Sequence, residues 1–255
     1  MVLHVPSAAC GKLGGMSHTR ATLTKRRADV AAMFDSVATR YDLMNSLMTF
    51  GVVERWRKDV LEAVDPLAGM KILDLAAGTG ASSAPLAATG AHVFPTDMSL
   101  GMLRVGKQKL PTLNFIAGDA LSLPYADDSF DVVTISYGLR NIEDTAAGLR
   151  ELLRVTRPGG QIVIAEFSTP TNPLFRSAYG FVLGSVIPTL SKGFASNSPA
   201  YSYLTESIRA WPNQQGLAEL MSAAGWKAVG WMNLTGGIVA LHRGWKAGPN
   251  PRRAE

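Results

Sequence analysis

The sequence predicts an α/β fold, a mainly parallel sheet covered by helices on both faces and closed by antiparallel chain at its C-terminal end. Three observations carry this. Between residues 70 and 167 the apolar runs MKILDLA, AHVFPT, LNFIAG, FDVVTIS and GQIVIAEF alternate with helical or loop segments, the pattern of strands buried on both faces and joined by crossovers. The first run leads straight into a glycine turn, AAGTG, where open α/β sheets hold ligands. Near the end, KAVGWMN and GGIVALH flank Thr235-Gly236-Gly237 and read as an antiparallel pair.

Taken in order, the opening MVLHVPSAACGKLGG has no helical period and many small residues. Residues 1–16 are therefore expected to be a flexible leader, with Met16 offering an alternative start. From Lys25 a helical period puts Val30, Met33, Phe34, Val37, Tyr41 and Met44 on one face and closes near Gly51, and a second short helix follows around Trp56. Together they make an N-terminal helical cap over residues 17–65. The sheet domain spans 66–246, interrupted at about 168–211 by a segment rich in Pro, Ser and aromatic residues that reads as a lid. A helix from about Asn213 precedes the antiparallel pair, and residues 247–255 form a flexible tail. No internal repeat is visible.

Composition excludes several classes. With 255 residues, 47% of them hydrophobic, the chain can bury a sizeable core. A single cysteine, Cys10, rules out an internal disulfide, and four scattered histidines offer no metal-ligand spacing; a reducing, cytoplasmic compartment is expected. The net charge of +5 sits at the ends: residues 1–29 carry five basic side chains against one acidic, and residues 243–255 carry four against one. The body is slightly acidic and has no basic stripe, so a nucleic-acid partner is not expected. Basic tails favour solvated termini or peripheral contact with an anionic membrane surface. The longest apolar run, from Tyr179, is broken by Gly184 and Pro188 and is too short to span a bilayer. Oligomeric state is not fixed by these features, a homodimer included.

Asp74 poses the central question, because it lies inside the apolar run LDLAAGTG and a buried carboxylate needs a partner. The turn resembles a dinucleotide fingerprint, but Ser83 stands where the third glycine would be, and a pyrophosphate disfavours a neighbouring carboxylate. S-adenosylmethionine reverses the preference: it has no phosphate, and it brings an ammonium and a sulfonium to Asp74. Asp97 ends the second strand, 17 residues beyond Gly80, where an acid accepts both ribose hydroxyls; it and Ser99 compete to cap the next helix. Asp119 in GDA is placed to meet the adenine amino group, and Ala120 leaves room for the ring. DDSFDVV and RPGG complete the order of a class I S-adenosylmethionine-dependent methyltransferase, a Rossmann-like, mostly parallel seven-stranded sheet.

Beyond the cofactor pocket, RYDLMNSLMTFGVVERWR, VVTISYGLRNIED, RVTRPGG, EFSTPTNP, YSYLTESIRAWPNQ and NLTGGIVALH resemble the ubiquinone/menaquinone C-methyltransferase family over about residues 16–246, most closely its demethylmenaquinone branch. The resemblance implies methylation of a ring carbon of a prenylated quinol, a lipid substrate, in menaquinone biosynthesis. It also implies cofactor contacts at Thr79, Asp97, Asp119, Ala120 and Ser136; with Asp74, Gly78, Gly80 and Met98 these complete the expected cofactor set. The acidic residue usual after the glycine turn is Ala81 here. Action on a ubiquinone precursor or another phenol, and a non-catalytic subunit that only binds the cofactor, are the competing readings.

C-methylation needs the ring hydroxyl deprotonated, and a phenol of pKa about 10 requires a base or a nearby cation for that at neutral pH. Arg140 and Asn141 follow the fourth strand, at the sheet edge where substrates bind. Arg140 is a candidate to stabilise the quinolate or orient a water, or else to pair with an acid such as Glu166. Asn141 is a candidate to hold a ring oxygen, or else to cap the helix that NIED begins. Tyr41 lies on the apolar face of its helix; its role in closing the pocket rests on the resemblance. Tyr201, Tyr203, Glu206 and Arg209 recur at helical spacing, which a salt-bridged lid helix explains as well as substrate contact does. His242 reads as a satisfied strand histidine rather than a base. No metal is expected.

Overall fold

The computed structural model describes residues 27–38, 51–182, 185 and 198–249. Seven strands form one sheet: β1 (Lys71–Leu75), β2 (His92–Asp97), β3 (Ile116–Ala117), β4 (Phe130–Ser136), β5 (Thr156–Phe167), β6 (Lys227–Leu234) and β7 (Val239–Trp245), in the order β3-β2-β1-β4-β5-β7-β6. β1 to β5 pair in parallel, whereas β7 runs antiparallel to both β5 and β6. The expected antiparallel pair turns at a short 3-10 segment, Thr235–Gly237.

Helices cover both faces because each carries one apolar stripe. On one face, α5 (Thr145–Val155) buries Leu149, Leu152 and Val155, and α8 (Gln214–Ala223) buries Leu217 and Met221 around Trp226. On the other, α2 (Val52–Val64) presents Val53, Trp56, Val60 and Val64 to Ile72, Val163 and Leu241. The remaining helices are α1 (Arg27–Val37), α3 (Ser83–Ala87), α4 (Leu100–Lys109), α6 (Pro173–Phe181) and α7 (Ser198–Ala210). α1 and α2 fall within the cap segment, and α6 and α7 within the insertion. α1 packs on α4, beside the second strand's exit.

Three boundaries differ from the sequence reading. β3 holds two residues rather than the whole LNFIAG run, since the chain leaves the sheet at Gly118 and turns at once, Ser122 N–H donating to the Asp119 carbonyl at 3.0 Å. β5 begins at Thr156, not after the glycines: Thr156 pairs with Phe130 and Gln161 with Val132, so residues 157–160 bulge out of the ladder. α5 is capped by Asp144, whose side chain accepts the Ala147 N–H at 2.9 Å. Asn141 is not that cap, because residues 139–141 already form a 3-10 turn and Ile142 is extended.

Candidate active site

The strand order reverses between β1 and β4, and at such a switch point the loops leaving the two strands diverge and open a crevice. The loops after β1, β2, β3 and β4 line one pocket there, facing the cap helices α1 and α2. Of the residues singled out in the sequence, Asp74, Gly78, Thr79, Asp97, Met98, Asp119, Ala120, Ser136 and Asn141 all border it. Gly80 supports the turn from behind: its φ is +82°, and an added Cβ would lie 2.7 Å from the Phe115 ring. At Gly78, φ +57°, an added Cβ would meet nothing within 4 Å, so backbone and open space face each other where a ligand can approach closely.

Asp74 has a protein partner. The Ser83 hydroxyl donates to its Oδ2 at 2.5 Å, so the residue that breaks the dinucleotide fingerprint serves the carboxylate. The carboxyl is 1% exposed. Burial, only partly offset by Ser83 and reinforced by the Asp97 charge, pushes its pKa up to about 7. Asp97 is held by two backbone donors, Gly78 N–H at 2.8 Å on Oδ2 and Ser99 N–H at 2.8 Å on Oδ1. Burial raises its pKa while these bonds oppose the rise. An ionised carboxylate has about four acceptor positions, so Asp97 retains capacity for a diol. The cap of α4 goes to Ser99, which accepts the Met102 N–H at 3.2 Å. Asp119 accepts the Leu121 N–H at 2.9 Å.

Two contacts at this site escaped the sequence reading. Asp35 of α1 accepts the Ser99 hydroxyl at 2.5 Å and the Gly101 N–H at 2.8 Å, joining the cap to the cofactor-side loop. Val30 and Phe34 of α1, with Val53 and Arg57 of α2, supply the pocket's far wall; helical spacing marked the first two as one apolar face but not what it would face.

A family model described as the ubiE/COQ5 methyltransferase family matches residues 21–246. The chain belongs to that family. The demethylmenaquinone methyltransferase of Streptomyces avermitilis is 57% identical over 229 residues, covering 90% of this chain and 99% of the relative. That of Renibacterium salmoninarum is 52% identical over 230 residues, covering 90% and 97%. Among solved structures, Haemonchus contortus phosphoethanolamine N-methyltransferase 2 with S-adenosyl-L-methionine superposes with a TM-score of 0.57 at 15% identity, covering 76% of this chain and 52% of that one. A SAM-dependent methyltransferase from Aquifex aeolicus gives 0.54 at 15%, covering 74% and 88%. At such identity the structures share the fold alone.

In this ubiE/COQ5 family chain the loop after β4 is tightly tied. Arg140 donates through Nη1 to Glu166 Oε1 at 2.8 Å, the two side chains 5% and 1% exposed, and also to the Tyr137 carbonyl. Its Nε lies 3.3 Å from Ser207 Oγ on α7, and its guanidinium stands 5.1 Å from the Phe167 ring centre. Arg140 therefore sits behind the pocket wall, in the pairing with Glu166 that was its alternative reading. Asn141 borders the pocket and accepts the Tyr203 hydroxyl on Oδ1 at 3.0 Å. That bond leaves the amide NH2 to donate. Tyr137 has a left-handed φ of +59°, and its buried hydroxyl has no partner among the described residues. Its ring packs near Trp56 and Phe167, and burial raises its pKa. His242 lies in β7 with Nε2 2.8 Å from the Gln214 carbonyl. Burial lowers its pKa, as suits a neutral structural histidine. Tyr41 lies outside the described residues.

Proposed function

We propose that the protein transfers the methyl group of S-adenosylmethionine to a ring carbon of demethylmenaquinol, giving menaquinol. The observation that carries this reading is the make-up of the pocket. Carboxylates Asp74, Asp97 and Asp119 border it on the strand side, and apolar Val30, Phe34 and Val53 of the cap border it on the other. The first set suits a cationic nucleoside and the second an apolar ring; the names of the relatives supply the quinol's identity.

Bound there, S-adenosylmethionine would supply an electrophilic methyl on a sulfonium. Asp74 would receive positive charge from its amino acid end, and Asp97 and Asp119 would hold ribose and adenine, with Gly78 and Ala120 leaving room. Thr79, Met98 and Ser136 complete that set, and the orphan Ser136 hydroxyl is available to a ligand. Asn141, its amide oriented by Tyr203, would donate to a ring oxygen of the acceptor. Arg140 acts as a positioning residue: its ion pair and its bond to the Tyr137 carbonyl fix the loop that carries Asn141. With the donor bound, a C–C bond to the ring would form as the sulfonium S–C bond broke, leaving S-adenosylhomocysteine, and the ring carbon would then lose its proton to water. Dry, apolar cap residues favour this alignment.

A prenylated acceptor partitions into a bilayer, so the enzyme must meet it there. We place that contact on the cytoplasmic face of the membrane and on α6, where Leu174 and Phe181 are 85% and 66% exposed. No described helix is long and apolar enough to cross a membrane.

The test is incubation of the purified protein with methyl-labelled S-adenosylmethionine and a demethylmenaquinol, a prenylated benzoquinol and an unprenylated naphthol in parallel. Label should enter the naphthoquinol ring fastest. Faster labelling of either other acceptor would reassign the substrate, and cofactor binding without labelling of any would favour a non-catalytic subunit.

A further inference from the structure

The pocket's charges are unevenly distributed. Among the described residues its walls hold four acidic side chains, Asp74, Asp97, Asp119 and Glu143, and one cationic side chain, Arg57. The methyl donor carries two positive groups and a carboxylate of its own. The positive groups suit the acidic side. The donor's carboxylate, set among these acidic groups, would be repelled unless a cation met it.

We infer that Arg57 is the residue that receives that carboxylate. This rests on the reading of the pocket as a methyl-donor site. If Asp97 and Asp119 hold the adenosine at the ends of β2 and β3, the amino acid end points back toward β1 and β4. Arg57 stands on that side: Trp56, its neighbour on α2, packs 6.0 Å from the ring of Tyr137, which follows β4 directly. The Arg57 side chain is only 16% exposed, so its charge is poorly screened by water. Its partner in α2 is Glu54, which at 62% exposed is well solvated on its own side, so water competes with Arg57 for that carboxylate. The planar fork can therefore turn a second edge to a carboxylate, a geometry that a lysine does not reproduce. Among the described residues Arg140 also lies near the site, but it is buried against Glu166.

The proposal is tested with two ligands that differ only in the group at issue, S-adenosylhomocysteine and its decarboxylated analogue S-adenosyl-3-thiopropylamine. Calorimetry on the wild type should show about tenfold or more tighter binding of the first, the scale of a charged hydrogen-bonded contact. Arg57→Met should erase most of that preference by weakening S-adenosylhomocysteine alone, and Arg57→Lys should restore part of it. Thermal melting of each variant separates this from misfolding, because a misfolded variant weakens both ligands together. An Arg57→Met protein that keeps the full preference overturns the proposal; if it also needs more quinol for half-maximal rate, Arg57 serves the acceptor instead. Wild-type protein that binds neither ligand would refute the donor-site reading itself.

Discussion

Asp74 is a carboxylate in a site too dry to ionise it cheaply, and its behaviour with pH follows from that. With a folded pKa of about 7 against an ordinary 3.8, its contribution to stability is fully present below about 4 and is lost as pH rises through 7. Asp74→Asn should therefore gain melting temperature relative to wild type between pH 4 and pH 8 when no ligand is bound. A cation beside the carboxylate reverses the cost, so S-adenosylhomocysteine binding at pH 6 should release protons. Calorimetry in buffers of different ionisation enthalpy reads the release, which Asp74→Asn should abolish. Ser83→Ala removes the one hydrogen bond that lowers this pKa and should move the wild-type transition to higher pH. Arg140 makes the opposite case. Arg140→Met strands a 1% exposed Glu166 and should cost about 3–5 kcal/mol. Adding Glu166→Gln should recover much of this in a chemical melt, and turnover with it; turnover that stays lost in a double variant of recovered stability would return Arg140 to a direct catalytic role.

Among the elements, α1 and α4 are joined by a cap that crosses the fold. Ser99 caps α4 from within the loop that also carries Asp97, and Asp35 accepts from both Ser99 and Gly101. The α1 helix thus buttresses the acid expected to hold the ribose. Asp35→Ala should cost about 1 kcal/mol of stability, as loss of a cap does, and should weaken S-adenosylhomocysteine binding several-fold by loosening the loop. Equal melting and equal affinity would show the link to be idle. α6 has a different character, with Pro173 at its first turn and Asn172 accepting the Leu174 and Phe175 N–H groups at 2.9 and 3.1 Å. It is well started but buries none of its side chains.

At the scale of the whole molecule, that exposed helix bears on how a lipid acceptor enters. If α6 meets the bilayer, Leu174→Glu with Phe181→Glu should lower partitioning onto anionic vesicles by about a hundredfold or more, since each buried side chain is worth roughly 1.5–3 kcal/mol. Turnover on a long-chain quinol in vesicles should fall in parallel, while turnover on a short-chain, water-dispersed quinol should not change. Loss of both activities would point to damage within the site, and loss of neither would remove α6 from substrate capture. The sheet itself needs no such help: β1, β4 and β5 are buried along most of their length between two helical layers.

Sequence by itself determined what depends on local period and turn chemistry. The strand runs, the glycine turn after β1, the acids at the ends of β1 and β2 and the antiparallel closure at Thr235 all follow from patterns a few residues long. Tertiary structure decided the partners. Ser83 reaches Asp74 across nine residues and Ser99 reaches Asp35 across 64, pairings that no short pattern encodes, and of the two readings open for Arg140 the fold chose the pairing with Glu166, 26 residues away. It also decided between roles that one side chain could fill: Asn141 lost the cap of α5 to Asp144 because the chain first makes a 3-10 turn. Arg57 was not among the residues singled out in the sequence. Only the packing of α2 against β1, β4 and β5 brings it to the pocket, because burying the Val53, Trp56, Val60 and Val64 face leaves the next residue after Trp56 at the edge of the crevice.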